Sequence, residues 1–302
     1  MIRPLTVLTL NLVAGVTAFA QQLEPRAYST SPTGVNMAIL AYGYSAGDLN
    51  FDPSLPVDNA SARINSIAIA YFRSINALGR SANVTVALPY TFGHLQGDYL
   101  GVFLPIYRSG MSDISVRFAI NLYGARAMQL KEFASYRQRT NIGASIAVSA
   151  PTGQYDPAKL INIGANRWAL KPEVGVSHAF RNTRWILDAY AGAWLYTPNN
   201  NLNGLRRTQS PIASAQFHLS YDFGRRLWAA FDANLFRGGR TALNGVKRND
   251  LQTNSRVGGT ISVPLTRRQS VKFAYARGAY TTIGGDFQTF SFSYQYLWGG
   301  GM

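Results

Sequence analysis

Residues 287–298 read FQTFSFSYQYLW, and from Phe290 onward one parity holds Phe290, Phe292, Tyr294, Tyr296 and Trp298. Ser291, Ser293 and Gln295 fill the other parity, with Thr289 before them. Strict alternation at period two describes a strand with one apolar and one polar face. A strand from a soluble sandwich would mix Val and Ile into its apolar face. An aromatic face on a run of about ten residues marks a stave that turns its rings to lipid and its polar groups to a wet lumen. The stretch predicts the closing strand of an outer-membrane barrel.

Composition agrees. The chain has 302 residues, 47% of them hydrophobic and only 14% charged, with 28 Gly and no Cys. One large all-β domain suits that length. A mean hydropathy near zero is expected of a barrel, because alternating polar and apolar residues cancel within any window. The absence of Cys suits a strand protein that crosses the periplasm unfolded.

Residues 1–20 have the form of a secretory signal: Arg3, an apolar run from Leu5 to Phe19, and Ala18-Phe19-Ala20 before Gln21. The apolar run is shorter than the roughly 20 residues of a spanning helix, and Asn11 interrupts it. Its removal leaves residues 21–302 as a single barrel domain, and the loss of Arg3 lowers the net charge from +15 to +14. Nothing downstream approaches a spanning helix, so insertion into a membrane must be by barrel.

Strand-like runs recur along the rest of the chain, at 34–44, 65–73, 84–90, 114–122, 141–149, 168–180, 185–196, 213–223, 227–236, 253–264, 270–280 and 287–298. About twelve strands result, an even count as single-chain bacterial barrels require. The links alternate in length. Short ones are expected at 75–81, 181–184, 224–226 and 265–269, and long ones at 45–62, 93–109, 152–166, 197–210 and 237–251. Short periplasmic turns and long extracellular loops are the expected asymmetry, and it puts both mature termini in the periplasm. One link departs from the rule: residues 124–137 lie on the short side, and MQLKEFASYR within them reads as one or two helical turns at the periplasmic mouth.

Parity assigns the side chains that face the lumen. Arg117, Lys171, Arg256 and Lys272 balance Glu173, Asp188, Asp222 and Asp232, which makes no anion filter but can brace neighbouring staves. Tyr190, Trp194 and Trp228 share that parity and are candidates for either packing or substrate contact. Much of the remaining basic charge falls in turns, at Arg73, Arg80, Arg181, Arg184, Arg225, Arg226, Arg267 and Arg268, where it can meet anionic headgroups rather than nucleic acid. In the predicted loop 93–109, GVFLPIY is strongly apolar. Val102, Phe103, Leu104, Ile106 and Tyr107 would form either a lid or a greasy way in for apolar solutes, since an apolar patch left in water marks an interaction site.

Several blocks resemble one family. They are PRAYSTSPTGVN from Pro25, FDPSLP from Phe51, GRSANVTVALPY from Gly79, SAPTGQYDPAKLINIGANRW from Ser149, KPEVGVS from Lys171, GGRT from Gly238 and NSRVGG from Asn254. Together they span nearly the whole mature chain, and they are similar to the bacterial putative MetA-pathway of phenol degradation proteins. The resemblance implies an outer-membrane barrel that helps aromatic or other hydrophobic compounds enter, with no functional residues to carry over.

Signals for enzymatic chemistry are thin. Three His and no Cys leave little for a metal or thiol site, and no cofactor is expected. His218 and Ser220 resemble the His/Ser pair of outer-membrane phospholipases. By parity both face the lumen with Asp222, whereas a lipid-cleaving site should reach the membrane face, so lumen hydrogen bonding is expected instead. His94 is read as a loop residue and His178 as lying near a strand end. Gly238-Gly239-Arg240 lacks the strand-to-helix setting of a phosphate loop and reads as a turn.

The expectation is therefore a passive outer-membrane channel for small, aromatic or hydrophobic molecules. Its partners are outer-membrane lipids, the assembly machinery and solutes. The alternatives are a barrel-embedded lipid hydrolase and a structural or adhesive barrel with a filled lumen.

Overall fold

The computed structural model describes residues 24–53, 55–159 and 161–301. The expected leader lies outside them. No described helix is long and apolar enough to cross a membrane. The only described helix is α1, Leu130–Ser135, where residues 124–137 had suggested helical turns. Gln129 and Glu132 form its capping box.

The strands, in chain order, are β1 (Val35–Asn50), β2 (Val57–Ala77), β3 (Arg80–Tyr99), β4 (Val102–Met111), β5 (Ser115–Tyr123), β6 (Thr140–Ser149), β7 (Ala169–Ala179), β8 (Trp185–Tyr196), β9 (Asn199–Leu202) and β10 (Leu205–Gln209). They continue as β11 (Ile212–Gly224), β12 (Leu227–Gly238), β13 (Thr241–Leu243), β14 (Val246–Lys247), β15 (Gln252–Pro264), β16 (Gln269–Tyr280) and β17 (Gly284–Gly299). Thirteen of them make one antiparallel sheet that closes on itself, because β1 pairs with β17 on one side and β2 pairs with β3. Within it β4 pairs with residues 90–99 of β3 and β5 with residues 82–87, so β4 and β5 are two halves of one stave. The barrel therefore has twelve staves, of the outer-membrane type. Closure pairs the staves on both sides, β4 excepted, which has only β3 beside it, and such pairing is what lets strands cross hydrocarbon.

The alternating faces hold. Phe290, Phe292 and Tyr296 of β17 are exposed on the outer surface, whereas Ser293 is buried. The same holds on β11, where Phe217 and Leu219 are exposed and Ser214, Gln216, His218 and Ser220 are buried. One end of the barrel carries the tight turns and the exposed Arg80, Arg181, Arg184, Arg225, Arg226, Arg267 and Arg268. We call it the turn end and the other the loop end.

Two loop expectations are corrected. The links 45–62 and 93–109 are mostly strand, for β1, β2 and β3 run 16, 21 and 20 residues. At about 3.3 Å per residue and a tilt near 40° they stand roughly 40–50 Å tall, well beyond a hydrocarbon band of about 25 Å. GVFLPIY is thus largely β4 rather than a loop, and His94, paired with Tyr107, sits on β3. Pro105 is tolerated because β4 has a neighbour on only one side, so a missing ladder donor costs little there. Pro89 lies opposite the interruption at residues 112–114, and its carbonyl accepts from the Ser112 N–H at 2.9 Å. A residue with no N–H to give coincides with the place where the stave breaks.

Two expected loops are also partly sheet. β9, β10, β13 and β14 form a separate four-stranded sheet at the loop end, with Arg207 opposite Leu243 and Gln209 opposite Thr241. Its hairpins turn at Asn203-Gly204 and Asn244-Gly245, all four residues at positive φ. Asn-Gly is the strongest short hairpin signal in a sequence, and it makes hairpins of stretches whose composition otherwise reads as loop. The turn expected at Gly238-Gly239-Arg240 is instead the end of β12 at Gly238 and a two-residue link to β13, with both glycines at positive φ.

Candidate functional site

Alternation places the candidate site inside the barrel, and the lumen has two unlike walls. On β7, β8, β11 and β12 the inward side chains are polar and buried: Glu173, Ser177, Asp188, Gln216, His218, Ser220, Asp232 and Asn234. On β1, β2 and β16 they are mostly small and apolar, among them Ile39, Ala41, Ala68, Ala70 and Ala274, with Ser interspersed.

Residues 24–33, ahead of the first strand, lie against the polar wall. The Tyr28 ring is 2% exposed; its hydroxyl lies 3.0 Å from Ser145 Oγ and 3.2 Å from Glu173 Oε1. It meets Tyr190 edge-on at 5.0 Å between centroids. The neighbouring staves make room with Gly143 and Gly175, where an added Cβ would stand 2.3 Å from the Tyr28 ring. Arg26 stacks over Trp228 at 4.5 Å, lies 3.7 Å from Asp222, and donates from Nε to Ser220 Oγ at 3.4 Å. The Arg26 and Ala27 backbone N–H groups donate to Asp188 Oδ2 at 3.3 Å and to the Tyr190 hydroxyl at 3.0 Å. Asn141 Nδ2 donates to the Tyr28 carbonyl at 3.3 Å, and the Thr33 N–H to the Met128 carbonyl at 2.8 Å. The segment is a plug built from the chain's own N-terminal part.

The charged side chains assigned to the lumen by parity are all found on its inner side, and their bracing runs partly through this plug. Lys171 Nζ lies 2.6 Å from Glu173 Oε2, and Arg117 reaches both Glu173 at 3.9 Å and Glu24 at 4.0 Å. His218 Nδ1 lies 2.6 Å from Asp232 Oδ1, whose other oxygen accepts from Thr260 Oγ1 at 2.7 Å. Arg256 donates to Thr289 Oγ1 at 2.8 Å, and Lys272 lines the cavity. The three lumen aromatics part company. Tyr190 and Trp228 are taken up by the plug, and Trp194 lines the remaining space with Lys171 Nζ 5.8 Å from its ring. His178 bonds Thr140 Oγ1 at 2.8 Å. Among the described residues no cluster of His, Asp and Glu is arranged to hold a metal.

What the plug leaves is a cavity of about 790 Å³ running beside it. Leu49, Ala60, Ala62, Ile64, Leu95 and Ile161 form an apolar cluster under the tall β1–β3 side of its loop end, and Ile106 packs against it. Val102, Phe103, Leu104 and Tyr107 stay exposed. At the same end Arg167 and Arg207 face the cavity. Burial lowers both guanidinium groups from their usual value, and for Arg207 burial and then the charge of Arg167 push it down to about 9. Burial also raises the Asp113 carboxyl, against the backbone N–H groups of Ala165 and Gly153 that hold its charged form.

Parity alone could not reveal Glu24, Arg26, Tyr28, Arg167 or Arg207, because none of them lies on a predicted strand run. The clue for Arg26 and Tyr28 was a charged and aromatic lead, PRAYSTSPTGVN from Pro25, which Glu24 directly precedes.

Residues 57–298 match the family described as putative MetA-pathway of phenol degradation. Among solved structures, the chain is similar to an outer membrane channel from Pseudomonas putida F1, 17% identical, with a TM-score of 0.75 over 92% of this chain and 100% of that one. It is also similar to the β domain of the Bordetella autotransporter Brka, 13% identical, with a TM-score of 0.50 over 88% and 100%. At these identities the likeness is one of fold. No curated protein matches the chain.

Proposed function

The chain belongs to the putative MetA-pathway of phenol degradation family, and we propose that it is a channel of the bacterial outer membrane through which small aromatic or other hydrophobic molecules enter passively. The observation that carries this reading is the cavity of about 790 Å³ bordered by small and apolar side chains of β1, β2 and β16. That volume falls in the range of small-molecule sites, and such sites are mainly apolar with a few placed polar groups. The turn end faces the periplasm in this reading, with both termini there and its Arg side chains near anionic headgroups. The outward rings of β17 and its neighbours contact outer-membrane lipid. Uptake of radiolabelled toluene and glucose by cells with and without the barrel tests it. Toluene entry should rise and glucose entry should not; no change in toluene entry overturns the reading.

A barrel with a filled lumen is the second reading, favoured by the plug itself. It predicts no added entry of either solute. A hydrolase draws less support. His218 and Ser220 are both fully buried, Ser220 Oγ meets Arg26 Nε at 3.4 Å, and no hydrogen bond joins the pair. Esterase activity that disappears in Ser220→Ala would reverse that judgement.

A further inference from the structure

At the loop end two guanidinium groups line the cavity, Arg167 from the β6–β7 connection and Arg207 from β10, and the charge of Arg167 bears on Arg207. They are 7% and 9% exposed. Arg167 Nη2 donates to Gln209 Oε1 at 2.5 Å, and its guanidinium lies 4.2 Å over the Tyr196 ring. Its Nη1 is buried and has no hydrogen-bond partner in the protein. Among the described residues neither arginine has a carboxylate within 4.0 Å.

The acidic groups in their neighbourhood are committed elsewhere. Asp113 accepts the Gly153 and Ala165 N–H groups at 2.8 and 2.9 Å. Asp250 accepts the Thr241 N–H at 2.8 Å and the Thr241 hydroxyl at 2.5 Å. Two like charges out of bulk water repel, and buried cations are ordinarily paired with an anion or satisfied by hydrogen bonds. Both line a cavity whose lining also includes Trp194, Ile212 and Phe236. A guanidinium is a planar fork that fits a carboxylate with two parallel hydrogen bonds.

We propose that Arg167 and Arg207 bind the carboxylate of a small organic acid whose apolar body lies against Trp194, Ile212 and Phe236. This rests on the channel reading and narrows its solutes to include monocarboxylic acids with an aromatic or aliphatic body. The arginines hold the charged end, and Tyr196 backs Arg167 from its other face. A strongly hydrated inorganic anion gains nothing from the apolar lining, so the site discriminates in favour of the organic acid.

The test is calorimetric titration of the purified full barrel with sodium benzoate, benzyl alcohol and inorganic phosphate. Benzoate should bind one per barrel, and Arg167→Gln and Arg207→Gln should each weaken it tenfold or more without changing benzyl alcohol. Arg207→Lys should recover part of the loss, since charge returns without the fork. Retention of the heat-modifiable electrophoretic shift identifies the variants that remain folded. Benzoate binding that survives both glutamine variants, or phosphate that binds as tightly as benzoate, overturns the proposal. The channel reading fails separately: toluene entry absent in cells while benzoate still binds the purified barrel removes the channel and leaves the site.

Discussion

The two walls of the lumen are made by the same alternating strands, yet they hold opposite contents. The β7–β12 wall carries Glu173, Asp188, His218 and Asp232 and is covered by residues 24–33. The β1, β2 and β16 wall carries Ala and Ile and borders open volume. A polar wall inside a narrow barrel can brace itself or recruit a peptide, because buried charges need partners. An apolar wall has nothing to offer a peptide backbone. The N-terminal segment therefore settles on one side, and the space left lies along the other.

The comparison is most directly broken by removing the plug. Deleting residues 24–33 should raise the ion conductance of the barrel in planar bilayers more than any single substitution. Unchanged conductance would show that the segment does not occupy the polar side in a membrane.

A smaller effect is expected from Tyr28→Ala. Truncating a buried ring costs about 3–5 kcal/mol, here drawn mainly from the hold of the plug on its wall. The predicted outcome is fast proteolytic trimming at the N-terminal segment with the barrel itself intact. Gly175→Leu should do the same from the other partner, since even a Cβ there meets the Tyr28 ring at 2.6 Å or closer. Resistance to trimming in both variants would contradict the packing described.

The inner and outer faces can be compared in one strand. Phe292→Arg puts a charge on the lipid face and should cost about 2–4 kcal/mol near the membrane midplane, whereas Ser293→Arg points into the cavity and should cost less. Equal unfolding midpoints for the two would refute the facing of β17. The smallest change in stability is expected from Ala41→Trp, which fills part of the open volume. Toluene entry should fall several-fold while the unfolding midpoint stays close to that of the parent. Entry that is insensitive to Ala41→Trp would move the path away from the apolar wall.

Much of the barrel was legible because a strand's period is local. Phe290, Phe292 and Tyr296 against Ser291, Ser293 and Gln295 declare two faces without any knowledge of a partner strand. The same parity placed Arg117, Lys171, Glu173, Asp188, Asp222, Asp232, Arg256 and Lys272 inside. It failed where pairing rather than pattern sets the structure. Residues 45–50 and 93–107 carry Gly, Asp and Pro and read as loop, but antiparallel ladders with β17, β2 and each other extend them as strand.

By itself, then, the sequence determined an alternating antiparallel barrel, its inward and outward residues, its Arg-rich turns and the short helix at Leu130–Ser135, since each rests on neighbours within a few residues. Only the tertiary structure decided which partner each buried charge takes. Tyr28 and Glu173 are 145 residues apart, Arg26 and Asp188 162 apart. No periodicity reports a contact of that separation. The plug, the open apolar side and the placing of Arg167 and Arg207 on the cavity exist because closing the barrel brings distant polar groups into a space with little water, where each must find a partner or face the cavity.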